Sequence, residues 1–503
     1  MKQTAKRLLA QPQARALFWL ALGLGALLRL IPLFYPMPMD DGLIRLSKSI
    51  EWARYPEWYG LGGQWPPLIM YLHGILIRLG ADALWVAYST GYLVNVASLV
   101  LVYRLSLAIT GNTSVALWSL LACSLYWFHI TLVNMNLIEN LYTLLLLAFN
   151  LVIVSGLGTR RIRLSEIAWL SGLMALMMLT RHEARLVWVV SCAYLLWQRE
   201  YHRFWVVAVS GALTTVYLLG ENLFLRGSLL ADLESATRNF RAAEEITGSV
   251  PSVGERLFPL WRWYLPYHPS IILVGAIVWG MYKSFHCVRA RFVILICNAS
   301  LMIILFSVFT SPLIPFLRYF VPIVVPAIAF AGVGLTAIPV RSAAPLLVIA
   351  ATFIQSLQWY RSNSSKLGYW HISNTLPVQR LKPSQEMLRE FIAALPQNSR
   401  IYALIAPRTH VDISQVAINT RRYDLVHFLL LYKYYDQYKG KLITNEPTME
   451  LLQQVNFVIV DRNHPESQRV IQVVHLLGGK VVYERGSLIV FGVTDDDATG
   501  KSP

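Results

Sequence analysis

Apolar runs of about 20 residues, the length at which a helix crosses the hydrocarbon core of a bilayer, recur through the first 360 residues of this chain. They lie near 16–35, 85–107, 114–133, 137–156, 164–180, 184–198, 204–221, 270–284, 292–309, 318–337 and 343–359. In hydrocarbon every backbone N–H and C=O must be answered within the structure, so a chain with about eleven such runs has to fold as a bundle of membrane-spanning helices. Composition agrees: 55% of the residues are hydrophobic and 14% charged, more apolar surface than one water-soluble core can use. The first run follows a basic flank, MKQTAKRLLAQPQAR, and no small-residue cleavage site comes after it, so it is expected to stay as the first span.

The formal net charge of +16 would suit a nucleic-acid partner if the basic residues formed one stripe. They sit instead in short segments between apolar runs, and no nucleic-acid partner is expected. With the N-terminus inside, alternation places Arg104, the Thr159–Arg163 cluster, Arg199 with His202 and Arg203, Lys283 to Arg291, and Arg341 on the cytoplasmic side. The same alternation leaves four segments outside: 36–84, the tip near 134–138, the connection 221–269, and everything after about residue 360. Segment 36–84 carries amphipathic text suited to helices in the interface, with Trp52, Trp58 and Trp65 as anchors. Cys123, Cys192, Cys287 and Cys297 lie in or beside apolar runs without CxxC spacing, which fits packing rather than a disulfide framework or a zinc site.

From about 374 to 495 the composition becomes that of a small α/β domain. RIYALIA, VNFVIVDR, GKVVYER and SLIVFGV read as strands, and LKPSQEMLREFIAAL and SQRVIQVVHLLGG as amphipathic helices, with Ser384 a plausible cap of the first. Residues 496–503 read as a disordered tail. The expected organisation is a transmembrane catalytic domain over 1–360 followed by this extracytoplasmic domain.

Ionisable groups at the ends of spans tend to mark a site. Four constellations qualify, and the topology, fixed from inner-loop Lys and Arg alone, puts all four on the outer face. Asp40 and Asp41 follow the first span; adjacent carboxylates repel each other and need a cation, a metal ion or a task such as accepting a proton from a hydroxyl. Their alternative is to serve as solvated loop acids capping the next helix. Glu139 stands at the mouth of the fourth span. Thr180, Arg181, His182 and Glu183 interrupt two apolar runs, and Arg318 and Tyr319 open a later one. Each alone also fits an interfacial anchor or a snorkelling side chain. Together, acids and arginines on one face suit an anionic phosphate donor with a base nearby.

These motifs, in this order, resemble the GT-C glycosyltransferases. The resemblance rests on the acidic pair after the first span, Gln64-Trp65-Pro66-Pro67-Leu68 ending the same loop, an acid opening the fourth span, LTRHEA at a helix break, and RYxxPxxxP, over roughly 16–340. The branch it is most similar to holds the bacterial relatives of protein O-mannosyltransferases and of the enzyme that adds aminoarabinose to lipid A. The resemblance implies a polytopic enzyme of a bacterial inner membrane that moves a monosaccharide from a polyprenyl-phosphate donor to a protein, lipid or glycan hydroxyl on the periplasmic face, with inversion. It makes Asp40 the catalytic base, puts Asp41 where Glu is usual, and gives Glu139 the place of the second-loop acid, often Asp. In the aminoarabinose branch a lysine before the PPL segment is thought to contact donor phosphate; Trp65 holds that place here, which moves the expected phosphate contacts to Arg181, Arg318 and Tyr319, with Trp65 and Glu183 beside the substrate. The resemblance assigns no metal ligands, although in oligosaccharyltransferase relatives adjacent acids hold a divalent metal ion. The competing reading is a lipid-linked-sugar flippase, polymerase or transporter, for which polar groups spread through the helices or paired repeats would be expected. A non-catalytic scaffold would leave the four constellations unexplained.

Overall fold

The structure, a computed structural model, describes residues 12–34, 41–54, 56, 67–134, 138–159, 161–226, 228–229, 271–310 and 317–337, and beyond them 350, 354, 401–404, 418, 420–421, 449–453, 456–462, 466–485 and 488–493. The chain divides into two units. One comprises 1–35, 62–69 and 88–377, the other 36–61, 70–87 and 378–503.

In chain order the helices of the first part are α1 (Pro12–Leu30), α2 (Asp41–Arg54), α3 (Leu68–Arg78), α4 (Ala83–Thr110), α5 (Thr113–Ser124), α6 (Trp127–Thr131), α7 (Ile138–Gly156), α8 (Leu164–Met178), α9 (Ala184–Trp197), α10 (Tyr201–Arg226), α11 (Ile271–Ser284), α12 (Val288–Thr310), α13 (Val321–Ala327) and α14 (Ala331–Thr336). Six described stretches are long and apolar enough to cross a membrane, and the bent pair over 113–134 makes a seventh. Helices α8, α9 and α11, of 15, 14 and 14 residues, are apolar but shorter. Helices therefore occupy ten of the eleven expected segments; the eleventh, 343–359, lies outside the described residues except for Ala350 and Ile354. The connection 221–269 lies outside them from residue 230 onward.

Two interruptions in the bundle show how broken helices are kept in an apolar medium. The α4–α5 turn itself is ordinary: Gly111 takes φ +66° and Asn112 caps α5 through Oδ1, accepting from Ser114 N at 2.9 Å. Twelve residues later the span bends by 54°, which strips the carbonyls of Cys123 and Ser124 of their helical partners. Arg29 of α1 donates to both, at 3.1 and 3.2 Å, and to His129 Nδ1 at 2.9 Å. Asn134 Nδ2 then donates to Pro32 O at 2.9 Å, and Asn140 Nδ2 to Leu132 O at 2.9 Å, fixing the segment that leads into α7.

The second interruption follows Pro326, which has no N–H to donate to the preceding turn; the backbone narrows to a 3-10 turn over Ile328–Phe330. Ser119 of α5 repairs it, donating to Ala329 O and accepting from Gly332 N, both at 3.0 Å. This pairing requires close backbones. A Cβ on Gly332 would sit 1.9 Å from Val115 O, and one on Gly334 the same distance from Ala276 O, so small residues set the α5–α14 and α11–α14 contacts. Gly332→Ala is expected to destabilise by about 1–3 kcal/mol, the usual cost of overpacking. Gly23, with nothing within 4 Å, is the control: Gly23→Ala should not lower the melting temperature in detergent, since Ala is the better helix former and meets open space. Equal melting of both variants would contradict the described packing.

In the other unit, α2 buries Leu43, Leu46, Ile50 and Trp52. Trp52 was expected as an interfacial anchor; it is 2% exposed, packed on Tyr71 and against Gly74. The sequence set its amphipathic side correctly but not what covers it. The C-terminal part holds β1 (Ile401–Leu404), α15 (Met449–Gln453), β2 (Phe457–Asp461), α16 (Ser467–Leu476), β3 (Lys480–Arg485) and β4 (Leu488–Gly492). All four expected strands are present. They form a sheet in the order β1-β2-β4-β3, β1 parallel to β2 and the rest antiparallel. Alternation puts Val458, Val460, Ile489 and Phe491 on one face, where Val470 and Val474 of α16 and Leu452 of α15 close the core. The expected helix LKPSQEMLREFIAAL, with Ser384, lies outside the described residues, as does the tail 496–503.

Candidate functional site

Because α7 and α8 run antiparallel, the start of α7 and the end of α8 share one end of the bundle, and the end of α7 and start of α8 share the other. At the second end Arg203 of α10 donates to Glu166 at 2.6 Å, to Glu200 at 2.5 Å and to the Thr159 hydroxyl at 2.6 Å. That cluster ties together the segments expected inside. At the first end lie Glu139, Arg181, Glu183, Arg318 and Tyr319, all expected outside.

Each of these is placed by local backbone. Glu139 sits in the first turn of α7, where the helix dipole favours a carboxylate, and Thr143 Oγ1 donates back to its carbonyl at 2.6 Å. Arg181 follows the last turn of α8, its N–H donating to Met177 O at 3.0 Å, and Ala184 N donates to Arg181 O to start α9. Leu68, which closes the Trp65-Pro66-Pro67 segment, donates its N–H to Leu179 O at 3.0 Å, so that motif ends on the same break. Arg318 and Tyr319 belong to a 3-10 turn, Leu317–Phe320, that leads into α13.

The side chains converge on one carboxylate. Glu139, 1% exposed, accepts from Arg181 Nη1 at 2.5 Å through Oε1, and Arg318 Nε lies 3.5 Å from that same oxygen. Arg181 also grips Glu183 with its fork, Nε to Oε2 at 3.0 Å and Nη2 to Oε1. Both guanidinium carbons lie over the Tyr319 ring, 5.1 and 5.5 Å from its centroid. Two like charges are thus held together by a shared acid and a shared aromatic face. Burial opposes the charge on Arg181, but Glu183 and Glu139 outweigh it and raise its pKa. Burial likewise opposes the charge on Glu183, and Arg181 reverses that, holding the carboxyl below the ordinary carboxylate range.

The sign of that shift fixes a pH dependence. A lowered folded-state pKa means the Arg181–Glu183 pair contributes fully above the unfolded carboxylate value, about 4.3, and is lost as pH falls below it toward the folded value. The difference in melting temperature between the parent and Glu183→Gln is expected to be constant from pH 7 to about 5 and to shrink below about 4.3. A difference that stays constant through acid pH would contradict the pairing.

No protein-family model matches the sequence, and no curated protein matches it. In three dimensions the chain is similar to ArnT from Cupriavidus metallidurans, solved bound to undecaprenyl phosphate, with TM-score 0.58 at 13% identity over 97% of this chain and 99% of that one. It is similar also to an oligosaccharyltransferase of Archaeoglobus fulgidus, solved with a tethered acceptor peptide containing the NVT sequon, with TM-score 0.53 at 10% identity over 97% of this chain and 74% of that one. The chain shares the fold of these two structures, the fold that the sequence motifs led us to expect. Against that fold the expected site divides cleanly. Glu139, Arg181, Glu183, Arg318 and Tyr319 are brought together, whereas Asp40 and Trp65 lie outside the described residues and Asp41 is described only as the first residue of α2.

Glu139 and Glu183, the two carboxylates that do converge, are both engaged by Arg181, and among the described residues no three His, Cys, Asp or Glu side chains group as metal ligands. The adjacent acids that could hold a divalent metal ion, Asp40 and the side chain of Asp41, lie outside the described residues. Two residues at this end of the bundle were missed. Tyr142, one turn beyond Glu139 and 2% exposed, lies within electrostatic range of Glu183 and Arg181, and its hydroxyl has no partner among the described residues. Its i+3 spacing from Glu139 was the available signal. The other is Arg185, in the first turn of α9.

Proposed function

We propose that this chain is a membrane glycosyltransferase that transfers a monosaccharide, with inversion, from a polyprenyl-phosphate donor to an acceptor hydroxyl on the periplasmic face of a bacterial inner membrane. The observation that carries the reading is the Glu139 carboxylate held between Arg181 and Arg318 at one end of a GT-C bundle. Arginine answers a phosphate with paired, charge-assisted hydrogen bonds, and a cluster of this kind is positioned to hold the donor phosphate as the sugar leaves it. The solved ArnT bound to undecaprenyl phosphate supports a donor of that chemistry.

In the reaction we propose, the acceptor hydroxyl gives its proton to Asp40 as its oxygen attacks the anomeric carbon. The C1–O bond to phosphate breaks, and its electrons remain on the polyprenyl phosphate that departs. The arginines take up the charge that appears there, while Asp41 and Glu139 shape the surroundings. Trp65 and Glu183 border the substrate. The acceptor is a protein, lipid or glycan hydroxyl; the acceptor peptide on the Archaeoglobus enzyme favours testing peptides first.

Liposomes loaded on one side with labelled polyprenyl-phosphate sugar separate this reading from a flippase. The protein is expected to move label onto acceptor without carrying the lipid across. Transbilayer movement without transfer would favour the transporter instead.

A further inference from the structure

Guanidinium N–H groups shut off from solvent in a membrane protein are normally answered, and ones that are not point to a ligand. Among the buried and half-buried arginines of the bundle, Arg29 donates to three carbonyls and a histidine, Arg203 to two carboxylates and Thr159, and Arg181 to Glu139 and Glu183. Arg185 is different. Its Nε and Nη2 are shut off from solvent, and it has neither a hydrogen bond nor an ion pair among the described residues. It stands two residues beyond Glu183, its backbone N–H donating to His182 O at 3.1 Å in the turn that starts α9.

Charge points to what is missing. The described cluster is balanced, Arg181 and Arg318 against Glu139 and Glu183, and Arg181 spends its fork on Glu183. An arriving phosphodiester adds one negative charge, and the departing phosphomonoester carries about 1.5 to 2. With Arg181 and Arg318 balanced by these acids among the described residues, a further cation is called for to match the charge of either.

We infer that Arg185 joins the Arg181–Arg318 cluster in binding the phosphate of the lipid-linked donor, supplying the positive charge that the pairing of those two arginines with the acids leaves short. The assignment rests on the reading of this end of the bundle as the donor site. The bond it makes grows stronger as the sugar leaves, because the phosphate gains charge at that moment.

The test measures binding, so it is independent of whether transfer is detected. Parent and Arg185→Gln, purified and reconstituted in phosphatidylcholine nanodiscs, are titrated with undecaprenyl phosphate and separately with phosphatidylglycerol. Losing charge-assisted hydrogen bonds is expected to weaken undecaprenyl phosphate binding about tenfold to a hundredfold, with phosphatidylglycerol binding unchanged. Equal affinity of parent and variant for undecaprenyl phosphate overturns the assignment. An equal loss for both lipids overturns it too, because the site would then be one for any lipid phosphate. If the Gln variant fails to fold, Arg185→Lys replaces it: the charge stays and the fork is lost, so binding should weaken by about threefold to tenfold, and parental affinity there overturns the assignment. Transfer absent from the parent while this binding pattern holds would sink the transferase reading and leave the phosphate site standing.

Discussion

Asp40→Asn is expected to lower kcat by about 10²–10⁴-fold while leaving donor affinity close to that of the parent, because the variant keeps the shape of the side chain and removes only the proton acceptor. A polyprenyl phosphate is already a good leaving group near neutral pH. The side chain therefore matters most at the acceptor hydroxyl, whose proton has to go to a base within hydrogen-bond reach. Asp41→Asn should cost less if Asp41 only tunes its neighbour: removing a like charge lowers the pKa of Asp40 and leaves its carboxylate in place. Interacting carboxylates titrate as a pair, so a pH–rate profile is expected to give apparent values belonging to both acids. Near-parental turnover in Asp40→Asn, with the loss appearing in Asp41→Asn, would move the base by one residue.

Glu139→Gln carries the second large effect, and it falls on stability. The substitution leaves two arginines beside one ring with their shared acid gone, and breaking a buried ion pair from one side costs about 3–5 kcal/mol. Glu183 is 32% exposed and still balances Arg181, so Glu183→Gln should cost distinctly less. Glu139→Asp keeps the charge and shortens the reach, and should fall between. If the cluster is a phosphate site, undecaprenyl phosphate restores part of the missing negative charge and raises the melting temperature of Glu139→Gln by more than that of the parent. Parental melting of Glu139→Gln without lipid would mean the carboxylate does not hold the arginines together.

Much of this was legible in the sequence because a bilayer makes two signals unusually strong. Span length is fixed by hydrocarbon thickness, which is why ten of the eleven expected segments are helices, and loop charge fixes sidedness, which is why Glu139, Arg181 and Arg318 could be grouped before any contact was known. The strands of the C-terminal sheet were legible through period-two alternation, as in Phe457–Asp461. What was hidden is pairing. Nothing in the text of LTRHEAR says that Arg181 turns to two acids while Arg185 meets none among the described residues, since that depends on which side of the break each side chain leaves. Arg29 was hidden for a similar reason: its work is to answer carbonyls almost 100 positions away at a bend that reads as one continuous span. The burial of Trp52 depends on packing against Tyr71, which hydropathy alone does not contain.

Under the proposed function, the chain breaks the bond between a sugar and a polyprenyl phosphate with Asp40 as base. The most direct test is the release of free undecaprenyl phosphate from a library of undecaprenyl-phosphate monosaccharides by purified protein with acceptor peptides and lipids, followed by mass spectrometry for the parent and Asp40→Asn. The account predicts release by the parent in step with glycosylated acceptor, and release reduced by about 10²–10⁴-fold in the variant. Equal release by parent and variant, or acceptor glycosylated without any free undecaprenyl phosphate appearing, would contradict it.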